Sequence, residues 1–530
     1  MRTEPHAPSA TAAAGGEAEV PCTPGQKRWV LAAAILGSSL AFIDGTVVNV
    51  ALPAIQRDLS ASVYQAQWVV ESYALLLAAL LLAAGALGDR YGRRRVFLLG
   101  TGLFGAASVA CMLAPTVQWL IAARAVQGVG AALLVPGSLA LVSLVFAPQE
   151  RGAAFGTWAG FSAMATAVGP LLGGFLVDRY SWAWAFALNI PLSLAVLAIA
   201  WKHVPESSLG GARARLDYAG AALATLGLGG IVFAFIEAPV RQWRSPEVLV
   251  ALGLGVAGLA AFLRVERRHP APMLPLPLLR NRNFAGANLL TLLLYAGLGG
   301  GTFFLPLNLI QVQGLSATAA GASFLPFIAI MFVLSRWAGK LVERRGARGP
   351  LIVGPCIAAC GFGLLALPGA DSGYFRGFLA GVSVLGLGMA IAVAPLTTTV
   401  MNAVDVEKAG IASGINNAVS RVAGLLAIAV FGWLMASVFE PRLRENLEAA
   451  RLPANVMEAV WKERDKLAAI VPPAGAEQVG PAVKGAFVAG YRWIMVVSAG
   501  LALASAVVAA LMLDASAGRR AGGEGKPPGG

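Results

Sequence analysis

Stretches of about 20 apolar and small residues recur along this chain, each closed by a short polar break. That length lets an α-helix, rising about 1.5 Å per residue, cross the roughly 30 Å hydrocarbon core of a bilayer. One soluble core cannot absorb so many, because such cores stop growing near about 250–300 residues and split. Charged residues are 13% of the chain, against about 25% in an average soluble protein. A transmembrane barrel would show short alternating segments instead. The runs predict about fourteen helices, at 29–52, 66–88, 94–113, 117–146, 152–177, 182–203, 216–237, 247–265, 284–310, 318–340, 350–369, 377–402, 409–437 and 490–513. The fold class is an all-α polytopic membrane protein.

An even number of crossings puts both termini on one side. With that side taken as cytoplasmic, the inner connections hold RYGRRR (90–95), RARL (213–216), RVERRHP (264–270), RNR (280–282) and ERRGAR (343–348). Inner loops and tails carry roughly 24 Lys/Arg and the short outer loops about 5, a positive-inside bias. The net charge of +13 is therefore topological, and nucleic acid is not an expected partner. Cys111, Cys356 and Cys360 fall inside spans, while His6, His203 and His269 fall outside them. No ligand set for a metal results, so the thiols read as buried and inert.

The chain echoes itself. GALGDRYGRRR (85–95) returns as GKLVERRGAR (339–348), GVGAALLVP (128–136) as GLGMAIAVAP (386–395), and ERGAAFG (150–156) as EKAGIASG (407–414). The offset of about 254–258 residues fits two parallel six-helix bundles with a helix pair inserted between them, a transporter architecture whose site lies between the halves. The expected parts are a flexible cytoplasmic tail (1–28), an N-terminal bundle (29–203), the inserted pair (204–270), a C-terminal bundle (271–513) and a second tail (514–530). The C-terminal bundle includes an outer loop, 438–489, with short amphipathic helices.

Asp44 is the one ionisable residue from Val30 to Leu52. A carboxylate at bilayer depth costs at least about 2.5–3.5 kcal/mol on insertion scales, so it needs a partner, a cavity or a proton. By helical rise Asp44 lies roughly 12 Å, Arg124 roughly 10 Å and Glu71 roughly 8 Å below the outer helix ends. Asp44, Glu71 and Arg124 are thus candidates for proton coupling. A fixed ion pair for Asp44 and Arg124, and an interfacial position for Glu71, are the alternatives. Asn49, Gln127, Asn416, Asn417 and Arg421 are candidates for the substrate cavity, Gln127 and the two asparagines equally for bonds between helices. The loop after the second span offers Gly85, Asp89, Arg90, Gly92 and Arg93, whose ion pairs can form and break as the halves move or merely anchor topology. The fifth span offers Gly169, Pro170, Gly173 and Gly174, where small residues permit close packing and proline permits a bend.

Four of these stretches together resemble the major facilitator superfamily, and within it the fourteen-spanner drug:proton antiporters. GALGDRYGRRR resembles the loop motif after span two, LIAARAVQGVGAA (120–132) the Arg-bearing motif of span four, and IDGTVVNVALP (43–53) the first-span motif of the fourteen-helix group. AVGPLLGG (167–174) resembles the antiporter motif of span five, with Ala165 where the pattern often has Gly. The resemblance implies alternating access, proton influx coupled to export of apolar, often cationic compounds, and residence in a bacterial inner membrane. It implies coupling roles for Asp44 and Arg124, gating for Asp89 and Arg93, and an antiport role for Gly169 and Pro170. Glu71 stands where many relatives have a neutral residue. Small-molecule substrate, protons and lipid are the expected partners; no cofactor, metal or catalytic residue is expected, and a periplasmic adaptor is left unassigned. A transporter of one dedicated metabolite, and a membrane sensor or membrane-embedded enzyme, are the competing functions; no nucleophile–base pair or P-loop supports an enzyme.

Overall fold

A computed structural model describes residues 23–206, 217–270, 272–404 and 409–514. Most of the expected tails, the RARL stretch and the Glu407–Lys408 start of the third echo lie outside the described residues. Among the described residues thirteen helices are long and apolar enough to cross a membrane, or fourteen when Val63–Leu81 and Ala83–Tyr91, bent by 56°, count as one crossing. In chain order they are α1 (Pro24–Asp58), α2 (Val63–Tyr91), α3 (Arg93–Met112), α4 (Val117–Val145), α5 (Pro148–Arg179), α6 (Ala183–His203) and α7 (Tyr218–Arg241). There follow α8 (Pro246–Glu266), α9 (Arg282–Val312), α10 (Ala317–Leu334), α11 (Arg348–Leu365), α12 (Tyr374–Asn402), α13 (Ala409–Ala449) and α14 (Val479–Met512).

Polar caps set where half of these helices start. Thr23, Ser62, Thr116, Asp217, Ser245, Asn281 and Ser316 each accept a hydrogen bond from a backbone N–H of the first turn. Such a bond satisfies a donor that the helix leaves without a partner. At the junction of α2 and α3, Gly92 takes φ +107°, where a side chain would be strained.

Helices α1–α6 pack with one another, mainly as α2 on α4, α3 on α4 and α1 on α5. Helices α9–α14 form the second bundle, mainly through α11 on α12, α9 on α14 and α10 on α12. This is the two-bundle arrangement with an inserted pair. Helix α7 touches both α2 and α13, and α8 packs against α7 across Gly227, Gly230, Gly255 and Gly258. The outward side of α8 carries exposed Leu249, Val250, Leu254 and Val256, as a lipid-facing helix requires.

The two described chain ends share one face of the molecule, here the termini face. On the opposite loop face, α13 runs on to Ala449, well past its apolar stretch. A short helix, Ala454–Lys462, and a turn, Arg464–Ala469, follow before α14 begins. Leu467 in that turn is buried with φ +52°, and the turn contacts α1, α2, α9 and α14. The two bundles join near the loop face. Gln311 Nε2 donates to Gln56 Oε1 (2.9 Å), and Gln67 Nε2 donates to the Ile428 carbonyl (3.0 Å). Asp178 at the end of α5 accepts from the N–H groups of Ala317 (3.0 Å) and Thr318 (2.7 Å) and from the Thr318 hydroxyl (2.6 Å). Gly174 faces the Ala317–Thr318 backbone and Gly321 faces the Pro170 carbonyl, both too closely for a Cβ.

Candidate functional site

Asp44 sits mid-helix in α1, and its side chain is fully buried. Three donors converge on it. Arg124 Nη1 of α4 reaches Oδ2 at 2.5 Å, while Gln127 Nε2 and Asn189 Nδ2 of α6 each reach Oδ1 at 2.9 Å. Gln127 stands one turn after Arg124, so one face of α4 supplies both. The Arg124 guanidinium also donates to Gln127 Oε1 (2.7 Å) and to the Val69 carbonyl of α2 (3.0 Å). It lies 4.1 Å from the Tyr73 ring centroid. Gln127 Nε2 bonds Ser108 Oγ of α3 (2.9 Å), and Cys111 Sγ lies 3.7 Å from Gln127 Oε1. Five helices of the first bundle thus meet in one polar knot, in which the charged form of Asp44 is compensated by a cation and two amides.

The knot leaves Glu71 out. Its carboxyl is fully buried on α2, and neither oxygen has a hydrogen-bond partner. One turn earlier on the same helix, Gln67 bonds the α13 backbone, so this face of α2 looks across the seam between bundles. On α13, Arg421 has a buried Nε without a partner. An unpaired acid and an arginine with a free buried donor therefore occupy facing helices of opposite bundles.

The other predicted residues fall into three groups. Gln127 belongs to the knot and not to an open wall, and Asn416 bonds Thr291 (2.7 Å) and Asn288 (3.2 Å) inside the second bundle. Asn417 is exposed and bonds Ser413 of its own helix, while Asn49 Oδ1 is buried without a partner. In the loop stretch, Arg93 Nε bonds Asp89 Oδ1 (2.9 Å) and Arg90 lies over the Tyr91 ring. Arg94 N–H and Arg95 both reach Glu206 beyond α6, so the loop is strapped to its own bundle. Gly85 lies beside Pro136 of α4. In α5, Gly169 and Gly173 lie against Thr46 and Val47 of α1, whereas Pro170 and Gly174 face α10. The glycine–proline helix is therefore packed on both bundles at once.

Asn189, Ser108 and Tyr73 complete the site and were not singled out by sequence. Asn189 had a signal, being the one side-chain amide in the apolar run of α6.

A sequence profile described as the Major Facilitator Superfamily matches residues 34–428. The chain is 37% identical over 429 residues to the multidrug resistance protein Stp of Mycobacterium tuberculosis, covering 81% of this chain and 79% of that protein. It is 32% identical over 498 residues to the tetracenomycin C resistance and export protein of Streptomyces glaucescens, covering 93% and 92%. Among solved structures, a bacterial homologue of the human lysosomal transporter Spinster, in an inward-facing and unoccupied conformation, superposes with a TM-score of 0.62. It is 17% identical, with 94% of this chain and 98% of that one covered.

Proposed function

The chain belongs to the major facilitator superfamily and is a multi-pass membrane transporter, not an enzyme, and from that premise we propose that it is a proton-driven exporter of lipophilic, often cationic small molecules. The relatives named for drug resistance and export support the direction and the cargo class. The Lys/Arg bias supports a cytoplasmic termini face in a bacterial inner membrane. With that orientation, the contacts between bundles at the loop face support an inward-facing reading.

One observation carries the coupling: a fully buried carboxylate at mid-membrane held by three donors from two neighbouring helices. In this state Asp44 is held by those donors and fully buried. A shift of α1 against α4 and α6 within the first bundle, as the two bundles change access, withdraws donors and lets Asp44 take a proton from the outside. Returning to this state re-forms the contacts with Arg124, Gln127 and Asn189, and the proton leaves inward. Glu71 has no donor, so a proton or the positive charge of a cargo stabilises it; it is the second coupling group. Asp89, Arg90 and Arg93, with Gly85 and Gly92, form the gating loop, and the Gly169–Pro170–Gly173–Gly174 helix carries the motion between bundles. Asn49 and Arg421 line the cargo path.

Everted vesicles test this. Respiration acidifies the interior, and a transported compound added outside enters in exchange for protons and dissipates the gradient. Failure of lipophilic cations, antibiotics and metabolites alike to do so defeats the antiport reading. Asp44→Asn is expected to insert normally and to give no dissipation. Full drug resistance in cells carrying that variant removes Asp44 from the mechanism.

A further inference from the structure

A cavity of about 480 Å³ opens at the loop face between the extension of α13 and the start of α14, and no residue of the Asp44 knot lines it. Its walls include Val438, Arg442, Gly485, Ala489, Arg492 and Trp493. Gly485 and Ala489 make the floor shallow, and the two arginines stand on opposite helices. Arg492 Nη2 donates to the carbonyls of Leu367 (3.2 Å) and Pro368 (3.3 Å), and among the described residues no carboxylate pairs with it. Arg442 is exposed and shares its charge with Glu445 at 2.8 Å. The cavity thus keeps a net positive charge and ready guanidinium donors.

Below the arginines the surface changes character. Trp493, Val496, Gly500, Leu503, Val507 and Leu511 of α14 are all exposed and recur every three or four residues, which places them on one helix face. This apolar track starts at the cavity and runs roughly 27 Å toward the termini face at about 1.5 Å per residue. The arginines mark the end of the apolar stretch of α14, at the level of lipid headgroups, where Trp is also favoured.

We propose that this groove binds an anionic phospholipid, its phosphate between Arg442 and Arg492 and one acyl chain along the α14 track. Arginine suits phosphate because its planar fork donates two bonds at once. Net positive charge favours phosphatidylglycerol over a zwitterionic lipid. The small floor residues let the headgroup approach the helix backbone.

The full chain, purified and delipidated in detergent, is titrated with phosphatidylglycerol, phosphatidylcholine or glycerol 3-phosphate while thermal unfolding is followed. Phosphatidylglycerol is expected to raise Tm saturably and phosphatidylcholine to do so more weakly. Glycerol 3-phosphate, which has no tails, is expected to have no effect. Arg442→Gln and Arg492→Gln are each expected to weaken phosphatidylglycerol about tenfold. Because Arg492 also braces the α11–α12 connection, the surface variant Arg442→Gln carries the comparison. Arg376→Gln, exposed and outside the groove, is expected to bind as the parent does. Equal effects of the two lipids overturn the proposal, as does an equal shift by glycerol 3-phosphate, which would indicate a free-anion site. So do unchanged binding by Arg442→Gln and equal weakening by Arg376→Gln.

Discussion

Asp44 and Arg124 make opposite demands on stability and on transport. Removing one charge of a buried pair strands the other, at a cost of about 3–5 kcal/mol. Asp44→Asn alone is therefore expected to lower stability by that order, while Asp44→Asn combined with Arg124→Gln recovers most of the loss. Thermal unfolding in detergent reads the stability, and neither variant is expected to transport. Glu71 behaves in the opposite way. Its carboxyl is buried without a partner, and an unsatisfied buried polar group costs about 1–3 kcal/mol. Glu71→Leu is expected to raise thermal stability by that order and to lower resistance to cationic compounds more than to neutral ones, as dose–growth curves would record. Sequence depth alone found the Asp44–Arg124 pair but grouped Glu71 with them. Depth gives height along a helix; the direction around the axis separates Glu71, which looks toward α13, from Arg124, which looks into its own bundle. Asn189 and Ser108 stayed hidden for the same reason, since an amide or hydroxyl in an apolar run can face any neighbour.

At the scale of elements, the α5–α10 contact holds the loop face shut. Gly321 has no space for a side chain against the Pro170 carbonyl. Gly321→Leu is expected to cost about 1–3 kcal/mol through overpacking and to open that face. Asp178→Ala removes the carboxylate that caps the first turn of α10, worth about 1 kcal/mol, and is expected to act in the same direction. Both are read by faster maleimide labelling of a cysteine placed at Gln56, in a background without the native cysteines. At the termini face, the Lys27 side chain bonds Glu150 at 2.5 Å and tethers the start of α1 to the start of α5. That bond holds the Glu150 carboxyl below its usual range. A lowered folded value means that the contribution is present at neutral pH and is lost as pH falls through the lowered value. Glu150→Gln is expected to flatten the acid limb of stability against pH, measured by thermal unfolding. Helix number and order were legible because apolar length is a strong signal. The ends were less so. Alpha13 continues to Ala449 through charged sequence because its extension packs on α14, with Asn446 bonding the Ala482 carbonyl at 2.9 Å.

At the scale of the whole molecule, the internal echoes announced two bundles and an extra pair, but not where that pair would sit. It sits against one side of the seam. Trp68 of α2 meets Phe233 of α7, with ring centroids 6.2 Å apart, and Phe235 of α7 meets Trp433 of α13 at 6.4 Å. One helix therefore touches both bundles, and α8 packs on its outer side. A hydrophobic solute dissolved in the membrane meets a wall on that flank. Helices α5 and α10 make no comparable contact with the pair, so a solute that enters sideways from the lipid is expected to do so along them.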